Sequence, residues 1–303
     1  MEGAAAKPKN KRTLYPIAQS PLYRMRSHRK LAGLLGISVA DLRKFCHSDQ
    51  LYTEFDIPKK NGTSRHVENP IRSLKRIQAR IARLLSRIAP PDYLYCPVKG
   101  RSYVSNAAQH LGNRAVRCLD IKKYFPSTTS QRVRWFFRSI MQCENDLAGT
   151  LTSLSTYRGH LPTGSPLSPI LAYFAHHDIW ESVAQVARSN GLTLTVYIDD
   201  VTLSGPRVPK KVIWEIEKII HASGLRYHKE KRYFDRPAEI TGVLVNNEKL
   251  RAPNRQHKKL HQAKLTLLKM KGLERQKAIL RIAGLSGQLD QIKKCPTEGK
   301  RAS

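Results

Sequence analysis

The chain has 303 residues and carries 54 Lys plus Arg against 23 Asp plus Glu, a formal net charge of +31. That length buries an ordinary core in two or three subdomains, and so strong a positive field collects polyanions, nucleic acid above all. No apolar run approaches the ~20 residues that span a bilayer, MEGAAAKPKNKR leads into no signal-type apolar segment, and the five cysteines are scattered without a CxxC pair. A cytoplasmic protein with reduced thiols, no zinc site and no membrane partner is therefore expected. Charge alone fits a generic RNA-coating protein equally well.

Residues 1–20 are polar and basic and read as a flexible arm. RSHRKLAGLLGISVADLRKF predicts two short helices broken at Gly36, the second opened by a Ser38/Asp41 capping box. YTEFDIPKKNGTSRHVENP alternates as a hairpin does, with Asn61-Gly62 as its turn. A long helix follows, with Asn69 as cap, Pro70 at the first position and Pro90-Pro91 as stop. Ile77, Ile81, Leu84, Leu85 and Ile88 form its apolar stripe. Arg72, Arg76, Arg80, Arg83 and Arg87 fall within an arc of about 80° on the opposite side. Most charged stripes are solvated faces, but these arginines repel one another, and an RNA phosphate backbone suits them better.

AVRCLDI (115–121) reads as a buried strand ending in Asp120, and RVRWFFRSI as a helix. Ser168 and Pro169 open a helix through ILAYFAHHDIWESVAQVARS that Asn190-Gly191 ends, with His176-His177-Asp178 structural within it. A hairpin over TLTVYIDDVTLSG, a helix near KKVIWEIEKIIHAS and strands around RYHKEKRYF and EITGVLVN come next. From about residue 251 the chain is basic and helical, and His257/His261, flanked by lysines, suit an RNA-facing helix better than a metal.

Asp199-Asp200 stands at or beside the tip of its hairpin, where Asn-Gly or Asp-Gly is the favoured pair. Adjacent carboxylates repel, and a local rule broken inside a consistent hairpin points to function. A divalent cation removes the repulsion; hard oxygen ligands select Mg²⁺, and a third carboxylate, Asp120, completes a two-metal site. An ordinary exposed turn is the competing reading for two acids alone.

The surrounding boxes decide between them. YIDD resembles the Tyr-x-Asp-Asp box of reverse transcriptases, and LDIKKYFPS (119–127) resembles their first catalytic box. LPTGSPLSP (161–169) is similar to Pro-Gln-Gly-x-x-x-Ser-Pro, IPKKNGTSR (57–65) to the fingers hairpin, and KGRSYVSNA to the segment after it. Order and spacing hold from about residue 30 to 250. Asn106-Ala107-Ala108-Gln109-His110 resembles the Asn-Ala-x-x-His box of retron enzymes, and Ile240-Thr241-Gly242 their Val-Thr-Gly box. The compact length also fits, and Ser168-Pro169 departs from the Ser-Gln of diversity-generating enzymes.

The resemblance implies an α+β right-hand polymerase. Fingers would span 21–112, the palm with its antiparallel sheet 113–250 (135–165 lending part of the fingers), and a helical basic thumb 251–303. It implies RNA-directed DNA polymerisation with deoxynucleoside triphosphates and two Mg²⁺ ions, for which Mn²⁺ can substitute. Asp120 and Asp199 would hold both ions, Asp200 would assist or shape the turn, and the Ile121 carbonyl would be a fourth oxygen. Lys59 or Lys60, with Arg65, would reach the triphosphate, and Phe125 would reject a 2′-hydroxyl. Gly164 would let backbone approach the nascent base pair. Lys231 would protonate the leaving pyrophosphate; solvated surface lysines are the plain alternative. Thr163 stands where the family has Gln, which puts a nucleotide contact there in doubt. Asn106, His110, Thr241 and Gly242 would touch RNA, a satisfied structural histidine being the alternative for His110.

Resemblance to retrons further implies a cognate structured non-coding RNA (msr-msd) as template and priming from an internal guanosine 2′-hydroxyl. The product would be branched msDNA, with host RNase H and a retron effector protein as partners in anti-phage defence. Another bacterial reverse transcriptase of the group II intron kind, an RNA-directed RNA polymerase, and a catalytically silent RNA-binding protein are the rivals.

Overall fold

A computed structural model of the chain describes residues 13–48, 50–59, 62–268 and 270–295. It begins with helices α1 (His28–Leu35) and α2 (Val39–His47), the hairpin β1 (Tyr52–Pro58) and β2 (Ser64–Pro70), and helix α3 (Arg72–Leu85). Strand β3 (Leu94–Cys96), helix α4 (Tyr103–Ala108), strand β4 (Ala115–Ile121) and short helices α5 (Tyr124–Ser127) and α6 (Ser130–Trp135) come next. A π-helical turn at Phe136–Ile140 leads to α7 (Asn145–Ser155), α8 (Ser168–Ala175) and α9 (His177–Ser189). Strands β5 (Thr193–Tyr197) and β6 (Asp200–Gly205), helix α10 (Lys210–Ala222) and strand β7 (Tyr227–Phe234) follow. The last elements are β8 (Ala238–Ile240), β9 (Val243–Asn246), β10 (Lys249–Arg251), α11 (Asn254–Leu267) and α12 (Gly272–Lys293). The Asn61 turn position and most of the N-terminal arm lie outside the described residues.

Contacts gather the chain into two units, Met1–Pro91 with Thr128–Ala175, and Asp92–Ser127 with His176–Ser303. In the first, Gly36 ends α1 at φ 73° and the Ser38 hydroxyl caps α2 at Asp41 N–H, as the sequence predicts. The ends of α3 differ from expectation. Pairing of Tyr52 with Pro70 holds residues 69–70 extended in β2, so Ile71 is the N-cap and Asn69 caps nothing. The helix also ends at Leu85, well before the two prolines. Its buried Gln78 ties the unit together: the amide donates to Tyr52 Oη and to the Leu154 carbonyl, and accepts from Ser165 Oγ.

The loop before α8 lies directly on β2. Thr163 Oγ1 donates to the His66 carbonyl and accepts from Glu68 N–H, and Gly164 N–H donates to the Glu68 carbonyl. A Cβ at Gly164 would stand 2.6 Å from that carbonyl oxygen. Glycine here thus serves the approach to β2, a packing role that local sequence does not signal.

The second unit is built on a sheet in the order β3-β5-β6-β4-β7, mostly antiparallel, with β3 parallel to β5. Side chains alternate across it. Val116, Cys118 and Asp120 share one face with Asp200, Thr202, Ser204, Thr195 and Tyr197; Arg117, Leu119, Val201 and Leu203 share the other. On the first face an apolar cluster of Val104, Ala107, Val116, Ile240 and Val243 takes in Ile292 near the end of α12. The predicted borders at 112/113 and 250/251 therefore run inside this unit. Long-range pairing, invisible in local sequence, binds β3 and α4 to the sheet. The single helix predicted after Pro169 is likewise two, broken at buried His176 (φ −117°, ψ 26°) where one unit passes to the other.

Gly164→Ala should lower stability by about 1–3 kcal/mol, the cost of overpacking against fixed backbone. Thermal unfolding of the full chain reads it, and an unchanged midpoint would show that the β2 contact does not constrain the loop.

Candidate active site

The antiparallel register of β4 and β6 pairs Asp120 with Asp200 directly, and β5 brings Tyr197 to Asp200 from the other side. Directly opposed residues of such a pair have Cα atoms about 4.5–5.5 Å apart, so two acids far apart in sequence are neighbours. The turn between is only Ile198-Asp199. Ile198 has φ 58° and Asp199 is not in the left-handed region, as in a type II′ turn. A β-branched residue there costs about 1–3 kcal/mol. Ile121 N–H donates to the Asp199 carbonyl at 2.8 Å, fastening the turn to the end of β4.

Burial, then the charges of Asp199 and Asp120, push the Asp200 carboxyl up to about 6, with Lys231 acting against them. Lys231 is exposed and faces Cys118 across the β4–β7 ladder. One residue that sequence reasoning missed stands here: His228 Nδ1 lies 3.5 Å from Asp120 Oδ1. Asp120 pairs with Lys229 but Ile121 with Tyr227, so His228 is the extra residue of a bulge. Strand alternation alone gives no signal for it.

Among the described residues no three His, Cys, Asp or Glu side chains already form a metal cage. Asp120, Asp199 and Asp200 nevertheless fit a hard divalent cation: they are all-oxygen donors, and burial first, then repulsion from the other two carboxylates, lifts Asp200 toward neutrality. Phe125 is half-buried on α5, its ring 6.0 Å from that of buried Tyr124, whose hydroxyl accepts from Trp180 Nε1 at 3.1 Å.

The remaining predicted residues separate into exposed and engaged ones. Lys59 and Arg65 are exposed on the β1–β2 hairpin, and Lys60 lies outside the described residues. Arg72 and Arg76 line a cavity of about 480 Å³ with Thr163 and Gly164, joined by Lys75, which the arginine-only stripe overlooked. Arg83 is exposed. Two arginines of the stripe are corrected from RNA contacts to internal ones. Arg80 Nε donates to the Leu34 carbonyl at 2.8 Å, and the Arg87 guanidinium covers the Tyr15 ring at 5.1 Å.

Asn106 and His110 are also corrected, both being fully buried. His110 Nδ1 meets Ser204 Oγ at 2.7 Å and Nε2 meets Thr195 Oγ1 at 2.8 Å. Asn106 Nδ2 donates to Thr241 Oγ1, which donates to the Tyr103 carbonyl. Thr241 and Gly242, at φ 45° and 86°, form the β8–β9 turn, and Gln256 Nε2 donates to the Gly242 carbonyl. The two boxes expected to read RNA are hydrogen-bonded to each other.

A corner of paired aspartates on a mostly antiparallel sheet, behind an apolar strand, is the arrangement of a metal-assisted polymerase palm. The family model described as reverse transcriptase (RNA-dependent DNA polymerase) matches residues 57–245, and the chain belongs to that family. The family generally uses divalent metal ions. Within it, similarity is to retron enzymes. The chain is 30% identical over 201 residues to the Retron Se72 reverse transcriptase of Salmonella heidelberg, covering 65% of this chain and 53% of that one. It is 31% identical over 271 residues to the Retron Mx65 reverse transcriptase of Myxococcus xanthus, covering 78% and 63%. The chain thus spans between about half and two thirds of those relatives. A solved telomerase from Candida albicans, in complex with a TWJ fragment of telomeric RNA, aligns at a TM-score of 0.50 with 11% identity. That alignment covers 84% of this chain and 58% of the telomerase and bears on fold alone, a right-hand polymerase.

Two groups should titrate with opposite sign. Burial pulls His110 down to about 3 from 6.5, so its contribution is complete above pH 6.5 and is lost as pH falls. By pH 4.5 wild type should lose about 2–3 kcal/mol that His110→Gln, less stable at pH 7, does not lose further. Asp200 is raised to about 6 from 3.8, so its contribution is complete below pH 4 and lost as pH rises through 6. In EDTA at pH 7.5, Asp200→Asn should therefore gain up to about 2–3 kcal/mol, vanishing near pH 4. Denaturant unfolding at these pH values checks both; parallel curves for variant and parent would refute the assignment.

Proposed function

We propose that the chain is the RNA-directed DNA polymerase of a retron, copying its cognate structured RNA (msr-msd) into branched msDNA. The observation that carries the polymerase reading is the Asp120–Asp200 pairing beside the Ile198-Asp199 turn. The retron reading is supported by the relatives' names and by the Asn106–Thr241 bond that unites its two diagnostic boxes. In this reading 21–112 with 135–165 serve as fingers, 113–250 as palm and 251–303 as thumb.

The reaction is attack of a hydroxyl on the α-phosphorus of a deoxynucleoside triphosphate, with pyrophosphate leaving. Two Mg²⁺ ions, when bound, lower the hydroxyl pKa and neutralise the triphosphate. Asp120 and Asp199 hold them, Asp200 assists, and the Ile121 carbonyl adds an oxygen. The β4–β6 register keeps the acids in place so that little reorganisation is needed at reaction. Lys59 or Lys60, with Arg65, orients the triphosphate, Phe125 bars a 2′-hydroxyl, and Lys231 gives a proton to the leaving group. Arg72, Arg76 and Arg83 meet RNA phosphates. First-strand priming from a guanosine 2′-hydroxyl, trimming by host RNase H, cytoplasmic action and a defence role with an effector protein complete the proposal.

Purified chain should extend oligo(dT) on poly(rA) with dTTP only when Mg²⁺ or Mn²⁺ is present. Asp199→Asn should cut the rate by roughly 10³, several kcal/mol of charge stabilisation, while RNA affinity stays within about twofold. Near-normal extension by that variant sinks the metal assignment, and preference for ribonucleotides in the parent enzyme favours an RNA polymerase instead.

Phe125→Ala should raise ribonucleotide incorporation at least about tenfold, the scale of steric discrimination. An unchanged ratio removes the gate. Co-expression with the repeat-bearing RNA beside the gene should give DNA joined through a 2′–5′ branch, and purely linear product would end the retron reading.

A further inference from the structure

The far end of the palm sheet carries a second basic surface that the polymerase reading does not use. Strand β7 is an edge strand, and its last residue, Phe234, pairs with Ala115 at the start of β4. Asp120 lies five residues along β4, so the two sites are about 16 Å apart along the sheet. They also lie on opposite faces, because Phe234 alternates with Ala115 and Arg117 while Asp120 alternates with Cys118.

Phe234 is 57% exposed. It borders an open cavity of about 720 Å³ also lined by Arg117, Arg207, Arg232, Arg236 and Tyr233. The aromatic is preorganised. Arg114 is held by Asp235 through two bonds of 2.7 and 2.6 Å and stands with its guanidinium 5.4 Å from the Phe234 ring centre. Glu230 is clamped between Arg117 and Arg232. Among the described residues these arginines face Glu230 and Asp235, and Glu217 also acts on Arg232, so Arg114, Arg117, Arg207, Arg232 and Arg236 still outnumber the acids and leave the surface positive.

Charge along an edge strand also blocks addition of a foreign strand. That role needs no exposed ring, and an apolar ring among arginines works against it. An aromatic open to solvent and ringed by guanidinium groups is instead the arrangement that stacks an unpaired base and holds its flanking phosphates. Duplex RNA offers no free base face, so unpaired nucleotides suit the ring.

We propose that Phe234, with Arg207, Arg232 and Arg236, binds an unpaired segment of structured RNA, one base stacking on the open side of the Phe234 ring. This is a holding site on the opposite face of the sheet from the reacting end. The choice of RNA over DNA rests on the retron reading above; the site itself does not.

The test uses the full chain and a 4-thiouridine-containing RNA hairpin with a single-stranded loop. Photocrosslinking should attach the loop to the peptide containing Tyr233 and Phe234. Phe234→Ala with Arg207→Ala should weaken hairpin binding at 0.15 M salt about tenfold, the scale of one lost stack with its phosphate contact. Phe234→Trp should restore the aromatic part. Extension of a short preannealed poly(rA)/oligo(dT) should stay unchanged in both variants, which separates failure here from failure of the polymerase assignment. Unchanged hairpin affinity, no crosslink near Phe234, or equal loss with Phe234→Trp each overturns the site. Equal binding and crosslinking of a DNA hairpin of the same sequence overturns the commitment to RNA.

Discussion

Like charges held together at the end of a sheet are the constraint on which this molecule turns. Left to itself, an antiparallel pair avoids opposed acids, because directly facing like charges destabilise it. Here β4 and β6 place Asp120 against Asp200, with Asp199 next in the chain. Three local features hold the arrangement: a left-handed Ile198, the Ile121–Asp199 backbone bond and the β7 bulge at Asp120. Each restricts the corner more than a free turn requires. Backbone strain, burial and repulsion accumulate at one point, and a cation of opposite charge would relieve the repulsion.

Rigidity upstream comes from a polar core. His110 is one ring touching both strands of the β5–β6 hairpin, Thr195 on β5 and Ser204 on β6. A neutral imidazole has one donor and one acceptor nitrogen, so both hydroxyls are satisfied and the strands cannot slip without orphaning buried groups. Asn106, one turn earlier, holds the β8–β9 turn through Thr241. Residues that resemble a recognition box thus act as a bolt through the palm. Their bearing on RNA runs through the position of the elements they join.

What was legible in the sequence follows from range. The Gly36 break, the Ser38 cap, the β1–β2 hairpin and the Tyr197–Asp200 corner are set by neighbours within a few residues, and pattern reads them well. The Asp120–Asp200 pairing was legible through family spacing, not periodicity. The misreadings all involve distant partners. Asn69 and Pro70 resemble a helix start until β1 claims them for a strand. Arg80 and Arg87 sit on a charged arc until the Leu34 carbonyl and the Tyr15 ring take them up. His228 reaches Asp120 only through a bulge that no alternation predicts.

The basic charge has to be divided in the same way before it explains anything. A net +31 sets a long-range field that gathers polyanions, but not every arginine is free to meet one. Arg80, Arg87 and Arg117 are spent on a carbonyl, a tyrosine ring and a largely buried glutamate. The exposed ones collect in separate places, Arg72 and Arg76 beside the Thr163–Gly164 loop and Arg207 and Arg236 around Phe234, with Arg232 beside them, both exposed and bonded to Glu230. Affinity that scales with salt reports phosphates actually contacted, so it counts the second group and not the first. Attraction is a property of the whole chain, whereas discrimination falls to the few places where a cation stands next to something other than solvent: a glycine loop in one, an open aromatic ring in the other.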